Sequence, residues 1–185
     1  MSAQADALIV EDTRDWVARA VVGLGLCPYA KAPHIKGQIR YVVCNAKTGA
    51  ALRQALSEQL LYLQATPPEI CETTLLIHPH VLQDFLDYND FLADADELLD
   101  RLDLTGVFQI ASFHPDYQFA DEDAKSISNY TNRSPHPMLH ILREASVDAA
   151  LRGADDPQTV ADAIVSRNQE TLAKLGHEGW KKLWT

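Results

Sequence analysis

The sequence predicts an α/β fold: a three-stranded, mostly parallel sheet with helices on both faces, forming a single domain over residues 1–185. Three observations point there. Three short runs, QIRYVVC, TTLLIH and VFQIASF, are rich in β-branched and aromatic residues, which favour strands. Longer segments with apolar residues at helical spacing separate them, and a strand–helix–strand–helix–strand order builds parallel sheets with right-handed crossovers. The chain of 185 residues, 46% hydrophobic and 23% charged, is long enough for one sizeable core.

The elements follow in order. Residues 5–23 form a helix whose apolar positions include Leu8, Val10, Trp16, Val17, Ala20 and Val21, with Gly23 and Gly25 as stops. Residues 38–44 are the first strand. Residues 48–64 are a helix with Leu52, Leu56, Leu60 and Leu63 on one side. Residues 73–78 are the second strand, and 81–102 a long helix with Phe85, Leu92, Leu98, Leu99 and Leu102 on its apolar face. Residues 107–113 are the third strand. Residues 135–151 and 157–175 close the chain as two helices. Asp156 caps the last one, and Pro157 fits its first turn.

Composition narrows the function classes. A net charge of -10 opposes general binding to nucleic acid, which needs a clustered basic surface. A small anion held by one or two arginines stays compatible with it. Three widely spaced cysteines, Cys27, Cys44 and Cys71, do not read as a disulfide framework and fit a reducing cytosol. The acidic N-terminus does not read as a signal peptide, and no apolar run approaches the roughly 20 residues of a membrane helix. The expectation is a water-soluble cytoplasmic protein.

The chemistry gathers where strands end. The second strand runs into His78-Pro79-His80, the third into His114-Pro115-Asp116. In open α/β sheets, ligands bind beyond the carboxyl ends of parallel strands. Proline alone also explains a strand exit, because it cannot continue the ladder. After His114 comes a long loop carrying Tyr117, Phe119 and Tyr130, and loops of that length are often functional. It ends at Asn132-Arg133-Ser134-Pro135. Ser134 is a good helix cap, the free N–H groups there favour an anion, and Arg133 adds a bidentate grip. On the helix that follows, His136, His140, Arg143 and Glu144 share one face. Imidazoles so placed suit proton transfer or metal ligation, and a solvated polar face explains them equally. Near the N-terminus, Cys27 lies before Pro28 with Lys31 nearby. A cysteine at a helical turn can be a low-pKa nucleophile, or simply a small buried hydrophobe.

Taken together, GLGLCPYAK, TTLLIHP, FLDYNDFL, ASFHPDYQF and NYTNRSPHPMLHILREASV resemble the family called domain of unknown function 1415, from Trp16 to Trp180. The resemblance implies a bacterial-type, stand-alone cytoplasmic protein and carries no reaction. It covers Cys27, His78, His114, Tyr117, Asn132, Arg133, Ser134, His140, Arg143 and Glu144. Two positions depart from the family pattern: His136, where tyrosine is usual, and Cys44, where serine-like residues are common.

Three readings follow. One is a small-molecule enzyme with its pocket at the carboxyl edge of the sheet. His114 and His140 would be its acid and base, and Cys27 a nucleophile. Arg133, Arg143, Ser134, Asn132, Tyr117 and Glu144 would hold an anionic substrate. The second is a divalent metal site, zinc or iron, on His78, His114 and His140 with Glu144 or Asp116 as the fourth ligand. The third is a non-catalytic binding or interaction protein in which the histidines are structural.

Overall fold

The computed structural model describes residues 3–151 and 157–185. Its centre is a four-stranded mixed sheet in the order β1-β2-β4-β3, formed by β1 (Ile39–Val43), β2 (Thr73–Ile77), β3 (Phe108–Phe113) and β4 (Met138–Arg143). β1 pairs parallel to β2, and β4 runs antiparallel to both β2 and β3. The three strands expected from the sequence are thus parallel to one another, but a fourth, reversed strand separates β2 from β3.

That fourth strand corrects the expectation of a helix over residues 135–151. MLHILR was read at helical spacing, whereas here it alternates. Met138 lies in the core cluster on one face, and Leu139 and Ile141 lie in the cluster on the other. The deciding force is tertiary. All five residues of β2 are buried, so both of its edges need backbone partners that water cannot supply. β4 fills the edge that β1 leaves open. The helix begins only afterwards, as α5 (Glu144–Leu151). The shared helical face of His136, His140, Arg143 and Glu144 therefore does not exist.

Helices do cover both faces. On one side lie α3 (Gly49–Ala65) and α4 (Phe85–Arg101). Leu52, Leu56, Leu60 and Leu63 of α3 pack with Tyr88, Phe91, Ala95 and Leu99 of α4 against Leu76, Leu139 and Ile141 of the sheet. Thr48 caps α3 by accepting from Ala51 N, and Asp84 caps α4 by accepting from Leu86 N and Asp87 N. The other side is covered by α1 (Ala3–Trp16) and its continuation. Trp16, Val17, Ala20 and Val21 pack there on Leu75, Ile77 and Met138.

The first helix does not run regularly to Gly23. Residues Val17–Val22 form a π-helical turn, closed by Gly23 N donating to Ala18 O at 3.0 Å. A Cβ at Gly23 would lie 2.2 Å from Arg19 O, so only glycine closes this turn. The short α2 (Lys31–Lys36) follows the Cys27 turn. The last helix, α6 (Pro157–Lys182), is longer than expected and breaks at Gly176, which has φ 64° and ψ 173°. It packs along the 3₁₀ turn Ile127–Thr131, where Tyr130 meets His177 and Trp180 edge-on. Asp156, the cap expected for this helix, lies outside the described residues. Among the described residues, no helix is long and apolar enough to cross a membrane.

Candidate functional site

The sheet divides the predicted site residues between its two faces. His78 and His114 leave the carboxyl ends of β2 and β3 toward α3 and α4. Their rings lie 5.7 and 5.1 Å from Tyr88. His140 points the opposite way, with its ring 6.0 Å from Phe113 on the α1 side. The imidazoles of His114 and His140 therefore do not meet. Nor do His78, His114 and His140 form one coordination sphere, and among the described residues no group of three His, Cys, Asp or Glu side chains could hold a metal ion.

His78 and His114 are tied to backbone. His114 Nδ1 accepts from Asp116 N at 3.0 Å, so the ring proton sits on Nε2 and is donated to Leu82 O at 3.3 Å. His78 Nδ1 lies 3.0 Å from Val81 O, which can only accept. Its Nε2 is buried without a hydrogen-bond partner among the described residues. Burial lowers both pKa values, that of His78 to about 4. Together the rings brace the turn into α4, where Leu82 takes a left-handed φ of 55°. Between them, Tyr88 donates its hydroxyl proton to Met138 O and accepts from Phe113 N, both at 2.9 Å.

The arginines are occupied as well. Arg143 Nη2 donates toward Leu63 O, Thr66 O and Cys71 O at 2.8, 2.7 and 3.1 Å, binding the end of α3 to β4. Arg133 donates to Tyr117 O and Ala124 O while stacking on Tyr130, which fastens the long loop internally. Asn132 donates to Ser112 O. Ser134 caps no helix, since none starts there; its hydroxyl donates to His136 O at 2.7 Å. Tyr117 lies against Phe85 and Phe119. Glu144 begins α5, its N–H bonded to Val107 O. A groove of about 450 Å³ does lie beside the carboxyl end of β3, lined by Arg133, Ser134 and Arg19. Asp12 and Asp15 line it too, with Asp15 paired to Arg19 at 3.4 Å, so its charges are balanced.

The other concavity is different in kind. A cavity of about 410 Å³ lies over the α1 face of the sheet, walled by Trp16, Val17, Val21, Leu75, Phe113 and Leu142. It reaches toward the amino ends of β1 and β2, where Ile39 and Thr73 line it, rather than the carboxyl rim. α5 closes part of it through Ser146 and Val147. Lys36, Glu72 and Arg143 also line it, and its volume and mainly apolar lining are those of a small-molecule site. Residues 8–182 match the family model described as Protein of unknown function (DUF1415). The chain belongs to that family. No curated protein and no solved structure matched it.

Of the expected reactive residues in this DUF1415 chain, Cys27 and His140 line the same cavity. His140 Nε2 lies 2.8 Å from Thr73 Oγ1, and burial lowers its pKa to about 4, so it is neutral at pH 7. Burial raises the Cys27 pKa, against weaker opposing effects from the Tyr29 and Ala30 backbone and from Arg167. Cys27 is therefore a thiol rather than a thiolate. Sequence reasoning missed Thr73, Leu75 and the π-helical turn as parts of a site. Their role depends on the pairing of β2 with β4, and no local pattern signals that pairing.

Proposed function

We propose that this protein binds a small, largely apolar and uncharged molecule in the cavity over the α1 face, with His140 as its polar anchor. The observation that carries this reading is the cavity itself. Its walls are mainly apolar, and two side chains 113 positions apart that can do chemistry, Cys27 and His140, both line it. An uncharged ligand matches the part of the cavity around Cys27 and His140, both held neutral by burial, and the charged side chains that also line the cavity, Lys36, Glu72 and Arg143, include both signs. This moves the site from the carboxyl edge expected from the sequence to the face of the sheet. The arginines expected to hold an anion, Arg133 and Arg143, donate to backbone carbonyls; Arg143 also lines the cavity, with its Nε unpaired among the described residues.

A catalytic version of the reading rests on Cys27. Its thiol lines the same cavity as the neutral imidazole of His140, and these are the two residue types that thiol–histidine catalysis combines. The setting of this reading is the cytoplasm, consistent with three free cysteines.

The test fills the cavity. Val147→Trp on α5 places an indole into it. Native mass spectrometry and thermal shift with an apolar fragment library read the result. Hits with the parent chain that are lost in a folded Val147→Trp variant support the site. Hits that survive the substitution, or their absence from the parent, would end this proposal.

A further inference from the structure

We infer that the ligand of this cavity presents a hydrogen-bond donor, such as a hydroxyl, phenol or amide N–H, to Nδ1 of His140, and that Thr73 imposes this polarity. The inference rests on the proposed cavity and adds the chemical class of its ligand. Thr73 Oγ1 lies 2.6 Å from Ile141 O and 2.8 Å from His140 Nε2. A carbonyl oxygen only accepts, and two oxygens that close would repel with no proton between them. The single hydroxyl proton of Thr73 therefore goes to Ile141 O. What Oγ1 has left to offer Nε2 is a lone pair, so Nε2 carries the ring proton. A neutral imidazole has one such proton, which leaves Nδ1 bare.

Nδ1 receives no hydrogen bond from any described residue, and the ring lines the cavity beside Leu75 and Phe113. The cavity thus presents a fixed acceptor beside the apolar side chains of Leu75 and Phe113. A ligand carrying a donor gains a hydrogen bond there. A ligand that offers His140 only lone pairs, such as an ether or a ketone, meets a lone pair at Nδ1 and gains no hydrogen bond there. Thr73 is a positioning residue: it acts through His140, and its own hydroxyl is consumed by the relay. Its position at the start of β2, opposite Ile141 and His140 of β4, follows from the antiparallel register of the two strands.

Three probes of one shape test the inference: 2-naphthol, 2-methoxynaphthalene and naphthalene. They are titrated into the full chain labelled with ¹⁵N-histidine, and the imidazole nitrogens of His140 are followed by NMR. The expected result is a protonated Nε2 throughout. 2-Naphthol should bind about tenfold tighter than 2-methoxynaphthalene, the ratio one net hydrogen bond gives. Only 2-naphthol should shift Nδ1. Equal affinities for all three with Nδ1 unmoved would overturn the donor inference and leave the cavity reading in place. No binding of any probe, and no shift of any lining residue, would overturn both. Thr73→Ser keeps the relay and should keep the ratio. Thr73→Val should bring it to within about twofold. A folded Thr73→Val that keeps the tenfold preference removes Thr73 from the role. If that variant does not fold, the Nε2 proton in the parent chain and the Thr73→Ser ratio decide.

Discussion

The buried His78 and the half-buried His140 are held neutral on opposite faces of the sheet, each with its pKa near 4. In the unfolded chain both return to about 6.5. The unfolded state thus binds more protons than the folded one between these values, and stability falls as pH drops through that window. His114 is shifted in the same direction by burial. Urea unfolding should show a loss of roughly 2 kcal/mol per strongly shifted histidine between pH 6.5 and 5, above the range where most carboxylates titrate. His140→Gln should remove about one proton from the slope and leave the His78 contribution. A stability profile that stays flat from pH 7 to 5 would mean that neither ring is held neutral by burial.

Arg143 shows how one element fastens another. It lies in β4, but its guanidinium reaches Leu63 O and Thr66 O at the C-terminal end of α3, together with Cys71 O before β2. The strand thereby joins the helix end to the sheet, and the guanidinium carbon lies 5.6 Å from the centre of the Phe108 ring. Arg143→Gln cannot span these acceptors. It should cost roughly 3 kcal/mol, since hydrogen bonds to a charged donor exceed neutral ones and Thr66 O and Cys71 O would lose this donor. Chemical denaturation measures the difference, and a loss below about 1 kcal/mol would show that water replaces the guanidinium without penalty. The same arginine explains an error of reading. In a sequence, a cation near two histidines looks like a binding group; here its partners lie 72 to 80 residues away.

The molecule joins these pieces across long sequence distances, which sets what a sequence could disclose. β1, β2 and β3 were legible because each packs through its own residues, and α3 and α4 because their leucine and aromatic spacing survives folding. β4 was not, because its strand state comes from two open edges supplied by β2 and β3. The candidate site inherits that limit: Cys27 and His140 were both visible as reactive types, but the wall between them is built by α1, β2, β3 and α5 together. α6 completes the assembly. Asn168, buried on it, donates to Leu26 O at 2.8 Å, and Arg167 donates to Gly25 O at 2.7 Å. The two bonds hold the residues just before Cys27, so the last helix fixes the entry to the cavity wall. Asn168→Ala should free that turn. Iodoacetamide at neutral pH should then alkylate Cys27 several-fold faster than in the parent chain, where burial keeps the thiol protonated. The stability loss should be only about 1–2 kcal/mol, that of one buried hydrogen bond. Unchanged alkylation in a folded Asn168→Ala chain would show that the Cys27 turn stands without α6. Faster alkylation only in step with global unfolding, read by the urea dependence of the rate, would show the same.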